Sequence, residues 1–309
     1  MKEIDVAIIG GGPAGMQAAL VLARTRKDTV VFDAPSPPRN AASHGVHNFL
    51  GLDGMLPHEI RDRAWEQIDA YDSARLIPEA VTAVRRADES NDLVVATPTD
   101  EYQARQVILT CGYHDQHPDL DGFNECWANT IISCPFCDGF ENKDRVWGIV
   151  PSMSYALDVF PHMVQSWTDK RMVLAPRHLS VSSQQIEDLE RQGVALHHGD
   201  IVELHHNAGK LKAVTLDDGQ RIEVGTLLVT PDERAAPLID GLTDTLGLAL
   251  DEHGYVAVDN SQKTNVSGLW AAGDVQGTMG AIASANAGSV AASMIVHGWF
   301  ETDADEHAA

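Results

Sequence analysis

The 309-residue sequence predicts an α/β protein of two three-layer units, the second inserted into the first. Three observations carry the prediction. A β-branched run, Ile4 to Ile9, passes through Gly10-Gly11-Gly12-Pro13-Ala14-Gly15 into a helical pattern. After Pro118 the texture changes, and a second series of alternating strand and helix patterns runs to Val229-Thr230-Pro231. Near residue 245 the chain returns to a segment that completes the first series. The length agrees, since it exceeds one ordinary core and suits two domains. The expected boundaries are 1–115 with 245–309 for the first domain and 116–244 for the second.

The elements follow in order. Met16, Ala19, Leu20, Leu22 and Ala23 mark a helix, and Thr29 to Asp33 a second strand, which makes a β-α-β opening. Residues 57–71 read as an amphipathic helix through Ile60, Ala64 and Ile68, and 80–109 as strands turning around Asp88 to Asp92. The second unit reads as strand Val146 to Val150, helix Tyr155 to Gln165, strand Arg171 to Ala175 and helix Ser183 to Gln192, with further strands after it. A small-residue helix from about Met279 to His297 closes the first unit, and the acidic tail 301–309 reads as a disordered end.

Composition narrows the function. The 45 acidic residues against 22 basic ones give a formal charge of −23. Nucleic acid and anionic membranes need a basic surface, so both are excluded as partners. No apolar run approaches the ~18 residues of a spanning helix, and the N-terminus enters a strand pattern with no leader in view, so a cytoplasmic location is expected. Four cysteines are too few for a disulfide scaffold, yet Cys134 and Cys137 form a Cys-x-x-Cys pair. A zinc site would need further ligands at short spacing, and none follows. Redox chemistry is favoured, and no metal is expected.

Gly10-x-Gly12-x-x-Gly15 fits a Rossmann-like dinucleotide turn. The first glycine permits the tight turn, the second lets backbone approach a diphosphate, and the third allows the helix to pack on the strand. Pro13 and Ala14 open the helix, whose N-terminal N–H groups favour an anion. Asp33, ending the next strand, is placed to accept from ribose hydroxyls. This motif does not separate FAD from NAD. The segment Ala271-Ala272-Gly273-Asp274-Val275 resembles the second FAD motif of the pyridine nucleotide-disulfide oxidoreductase superfamily. The resemblance implies FAD, with Gly273 and Asp274 at its ribityl–phosphate part and the helix starting near Ala281 and Ile282 aimed at the flavin. A turn or cap role for Asp274 is the alternative.

Cys134-Pro135-Phe136-Cys137-Asp138-Gly139 lies inside the inserted unit. That position, with both flavin motifs, resembles the low-molecular-weight thioredoxin reductases along nearly the whole chain. The resemblance implies that Cys137 is the flavin-proximal thiol, Cys134 the outer thiol that exchanges with substrate, and Asp138 the group that moves protons. It also implies a homodimer. An inert structural disulfide is the alternative.

The relatives of this type carry a second glycine turn for NADPH. Here Val150-Pro151-Ser152-Met153-Ser154-Tyr155 stands in its place, and Ala175-Pro176-Arg177-His178-Leu179 offers one arginine where a 2′-phosphate cluster is expected. No tightly bound NADP(H) is therefore expected, and the second domain reads as a degenerate nucleotide domain. This loss resembles the thioredoxin-reductase-like dithiol oxidases of gliotoxin and holomycin biosynthesis, as does the loop Ser43-His44-Gly45-Val46-His47-Asn48-Phe49-Leu50-Gly51-Leu52-Asp53-Gly54. Such oxidases commonly have His after the second cysteine, whereas Asp138 matches the reductases. His44 and His47 read either as aids to substrate deprotonation or as hydrogen-bonded structural residues.

The leading expectation is an oxidase that closes a disulfide in a small-molecule or peptide dithiol, with oxygen as acceptor. The alternatives are a disulfide reductase fed by ferredoxin or, less readily, by NADPH, and a non-enzymatic redox-sensing flavoprotein.

Overall fold

A computed structural model describes residues 1–88, 90–278 and 280–308. The expected helix start at Met279 and the residue Glu89 of the turn at 88–92 lie outside the described residues. The chain divides into two compact units, Met1–Ala41 with Met55–His114 and Arg234–Ala309, and Ala42–Gly54 with Asp115–Glu233.

The first unit is built on a seven-stranded sheet. Strands Ala74–Ile77, Thr29–Phe32, Lys2–Ile9 and Glu101–Leu109 run parallel in that order, and Leu269–Ala271 lies parallel along the C-terminal part of Glu101–Leu109. The N-terminal part of Glu101–Leu109 pairs antiparallel with Leu93–Ala96, which pairs with Ala83–Arg86. Alternation along the central strands divides their side chains between two cores. Val6, Ile8, Val31 and Ile108 pack with residues of helices Pro13–Arg24 and Ala281–Ala308. Ala7, Ile9, Val30 and Leu109 pack on the other face with Leu93, Val95 and Tyr102. The sheet is thus buried on both faces, as parallel strands require.

The second unit repeats the plan. Ala195–His198, Arg171–Ala175, Trp147–Val150, Thr226–Val229 and Ile131–Ile132 form a parallel sheet in that order. An antiparallel meander, Ile201–Asn207, Lys210–Leu216 and Arg221–Glu223, contributes Leu204, Leu211 and Ile222 to one core. Leu157, Val164 and Leu189 from helices Tyr155–Val164 and Ser183–Arg191 fill the other. The protein is an α/β fold of two three-layer, Rossmann-like units.

Two boundaries differ from the sequence reading. The chain re-enters the first unit at Arg234, not near 245, because helix Pro237–Leu246 adds Ile239 and Leu242 to that unit's core. Residues 42–54, expected within the first domain, group with the second unit. The last helix runs Ala281–Ala308, so the backbone expected as a disordered tail is helical through 308. Among the described residues no helix is long and apolar enough to cross a membrane.

Candidate active site

Cys134 and Cys137 are joined in a disulfide, with their Cα atoms 5.2 Å apart. The geometry is local. Cys134 caps the single-turn helix Pro135–Asp138 in extended conformation, and its Sγ accepts from the Cys137 N–H at 3.1 Å. Pro135 starts the turn, where its fixed φ suits a helix and its missing N–H costs nothing. Gly139 follows it at a position with no room for a side chain. A Cβ there would lie 2.2 Å from the Pro135 carbonyl oxygen and 2.8 Å from the Trp167 ring. Trp167 stacks on the buried Trp147 at 6.3 Å and meets the exposed Phe136 edge-on at 5.5 Å. Both cysteines are half-buried, so exposure does not separate an inner from an outer sulfur.

The turn is tied to its unit by Asn142, which the sequence reading did not single out. Its buried amide donates to the Asp138 and Asn129 carbonyls, both at 3.0 Å, and accepts from the Thr226 hydroxyl at 2.9 Å. Its own carbonyl accepts from the Trp147 indole at 2.9 Å. Nothing in the local sequence marks an asparagine as buried.

Asp138 follows the second cysteine in a partly buried position. Burial, with the nearby Glu141 carboxylate, pushes its carboxyl up to about 6, while His47 acts in the opposite direction. His47 comes from the 42–54 loop. Its Nδ1 lies 3.6 Å from Asp53 Oδ2 and its Nε2 3.6 Å from Glu141 Oε1. The same loop is fastened to the dithiol turn by Asn48, whose side chain donates to the Phe136 carbonyl at 2.6 Å. His44 is exposed.

The predicted cofactor residues gather in the first unit. Gly10 has φ +113, and a Cβ there would meet the Thr110 carbonyl oxygen at 2.4 Å. A Cβ on Gly15 would stand 1.9 Å from the Gly10 oxygen. Gly12 differs, with no atom within 4 Å of its Cβ position. It caps helix Pro13–Arg24 without a side-chain hydrogen bond, so open space lies beside helix N–H groups. That arrangement fits a diphosphate. Asp33 is where the sequence placed it, but both its oxygens have protein partners: the Gly11 N–H at 2.9 Å and the Arg61 guanidinium. Arg61 sits on helix Pro57–Ile68, and no sequence motif announced it.

Gly273, at φ +83, brings the second motif against Ala14, whose Cβ would be 2.9 Å from a Cβ on the glycine. Asp274 accepts from the Ser284 hydroxyl at 3.0 Å and pairs with Arg39 at 3.4 Å. The last helix begins at Ala281 and Ile282, and its Gly288 lets it close onto the Ala14 carbonyl. The two motifs, far apart in sequence, therefore converge on the start of one helix.

A sequence profile described as pyridine nucleotide-disulphide oxidoreductase matches residues 4–147 and 169–291. The chain belongs to that family. It is an oxidoreductase with a disulfide redox centre, similar to thioredoxin reductases. The thioredoxin reductase tcpT of Claviceps purpurea is 29% identical over 290 residues, 88% of this chain and 86% of the relative. The thioredoxin reductase of Bacillus subtilis is 27% identical over 304 residues, 96% of this chain and 95% of the relative. The crystal structure of HlmI superposes with a TM-score of 0.90 at 29% identity, covering 99% of this chain and 95% of that one.

The oxidoreductase's second unit departs from a nucleotide-binding turn. After strand Trp147–Val150 there is no glycine until beyond the following helix, and Pro151 is buried in the turn. Gln185, itself buried, donates to the Ser154 carbonyl and to Asp158 Oδ1, both at 3.0 Å. Asp158 also puts an acidic side chain in the first turn of helix Tyr155–Val164, where a phosphate would need positive potential. Arg177 is held by Asp217 through its Nε and through Nη2 at 3.0 Å, and its N–H donates to Asp200 at 2.9 Å.

Proposed function

We propose that this oxidoreductase binds FAD in its first unit and is a dithiol oxidase, closing a disulfide in a small-molecule or peptide dithiol. Gly10, Gly12, Pro13, Ala14 and Gly15 would hold the diphosphate and Asp33 the ribose end, while Gly273, Asp274, Ala281 and Ile282 would take the flavin half. FAD, when bound, supplies a two-electron acceptor that oxygen reoxidises, releasing peroxide. The single observation carrying the reading is the contrast between the units. The dithiol and its acid are complete, while the second unit's nucleotide turn lacks its glycines and Arg177 is committed to Asp217. Electrons then enter through the dithiol.

A substrate thiolate attacks Cys134 Sγ, and the Cys134–Cys137 bond breaks with its electron pair on Cys137. The second substrate thiolate attacks the substrate sulfur of the mixed disulfide, which forms the product and frees Cys134. Two electrons have moved to the protein cysteines. Asp138, with a carboxyl near neutrality, takes the protons that the substrate thiols lose.

Aerobic turnover of small dithiols, followed by oxygen uptake and peroxide release, tests the proposal, with anaerobic NADPH leaving the flavin spectrum unchanged. Absence of oxygen uptake with every dithiol tried, or rapid bleaching by NADPH, overturns it. One observation favours a second reading. Asp138 after Cys137 stands where the resemblance to thioredoxin reductases implies a proton-moving group, so a disulfide reductase fed by a donor other than NADPH would use the same residues in reverse.

A further inference from the structure

Closing one disulfide ionises two thiols, and the dithiol turn offers one partly buried carboxylate, Asp138, to receive the protons. It must unload after the first thiol before it can serve the second. Its partial burial makes the route outward a structural question.

His47 lies beside the dithiol turn, with Glu141 three residues after Asp138 as its neighbour. Its ring nitrogens face two carboxylates, Asp53 at 3.6 Å and Glu141 at 3.6 Å. The His47 side chain is 25% exposed, whereas those of Asp53 and Glu141 are 64% and 48% exposed. Asp138 is close enough to be influenced by both His47 and Glu141. The imidazole thus lies beside two carboxylates that meet solvent, on a loop tied to the turn that carries the partly buried Asp138. Its loop is fixed in that place. Asn48 donates from its backbone to Asp53 at 2.8 Å and from its side chain to the Phe136 carbonyl at 2.6 Å. At Gly45 an added Cβ would lie 3.1 Å from His47 Nε2, so the backbone closes against the ring.

We propose that His47 is the proton relay of the dithiol site, taking each proton from Asp138 and releasing it to solvent past Glu141 and Asp53. Among the described residues, Asp53 of its own loop and Glu141 contact it, and Asp138 lies within its electrostatic range. The relay rests on the dithiol chemistry proposed above but not on its direction, since reduction of a substrate needs the same protons carried inward. No electrons pass through His47. They move from the substrate sulfurs to Cys137 and Cys134 while two protons leave by the imidazole.

The test uses the full chain under anaerobic single turnover. Dithiothreitol reduces the Cys134–Cys137 disulfide, and rapid alkylation counts the new thiols, in weak buffer between about pH 6 and pH 8. His47→Gln is expected to slow reduction about tenfold. Added imidazole is expected to restore the rate in proportion to its concentration, while leaving the wild type unchanged. Glu141→Gln, at an exposed position, carries the same expectation in smaller degree, about threefold, and serves if the first variant does not fold. A variant as fast as wild type overturns the relay. So does a slow variant that imidazole leaves slow, because the ring then only fixes its loop. A wild-type disulfide that no dithiol reduces is a different result, and it overturns the proposed function along with the relay.

Discussion

Asp138 carries a stability cost that Asp138→Asn should remove. Burial, aided by Glu141 and opposed by His47, lifts its carboxyl from 3.8 to about 6. A raised carboxyl value means that the native state binds this proton more tightly than the unfolded chain does. The stability it contributes is therefore complete below about pH 4 and is lost as pH rises through about pH 6. A shift of about two units corresponds to about 3 kcal/mol, as an upper limit. An amide is neutral throughout, so the variant should match wild type near pH 4 and exceed it by up to about 3 kcal/mol at pH 8. For a unit of this size that is up to about 10 °C in Tm. Its dithiol exchange should fall by about 100-fold or more, since the acid–base group is gone. Thermal melts of both proteins by circular dichroism, from about pH 4 to pH 8, read the first effect, and thiol counting after dithiothreitol reads the second. A Tm difference that stays constant with pH, or a variant less stable at pH 8, would refute the reasoning.

Two further outcomes follow from particular contacts. Gly12→Ala should fold with an unchanged apoprotein Tm, because nothing lies within 4 Å of the new Cβ, yet it should lose flavin on gel filtration. Gly15→Ala places a Cβ 1.9 Å from the Gly10 oxygen and should lower the apoprotein Tm, by about 1–3 kcal/mol in stability. Equal behaviour of the two variants would contradict the assigned roles. After reduction of the native protein, iodoacetamide at pH 8 should label Cys134 and Cys137 alone. Cys126 is buried, which raises its thiol, and burial around its sulfur pushes Cys111 up to about 12 although that residue keeps some exposed surface. Mass spectrometry of the peptides reads this directly, and rapid labelling of Cys111 would count against it.

Much of the fold was legible because its signals are local. The turn at Gly10 to Gly15 writes its needs into adjacent residues, a positive φ at one glycine and no room for a Cβ at another. Strand Arg171–Ala175 and helix Ser183–Arg191 were readable from alternation and periodicity. The dithiol was legible for the same reason, since three residues of separation bring two sulfurs together on one turn.

Side chains that act across the sequence were not legible. Arg61 meets Asp33 from a helix 28 residues on, and Arg39 meets Asp274 across 235 residues. Asn142 looks like any loop asparagine until Thr226, Trp147 and two carbonyls enclose it. His47 was visible as a histidine near a glycine loop, but only folding sets it between Asp53 and Glu141.

The sequence by itself determined the α/β class, the two nucleotide-type motifs, the redox pair and the missing second glycine turn. Each depends on backbone geometry or chemistry that a few neighbouring residues dictate. Tertiary structure decided the electrostatics. Whether Asp138 is a strong or a weak acid depends on how much water its surroundings exclude and which charges they bring near. Glu141 lies three residues on, but His47 comes from a loop some ninety residues away, and the burial exists only in the folded chain.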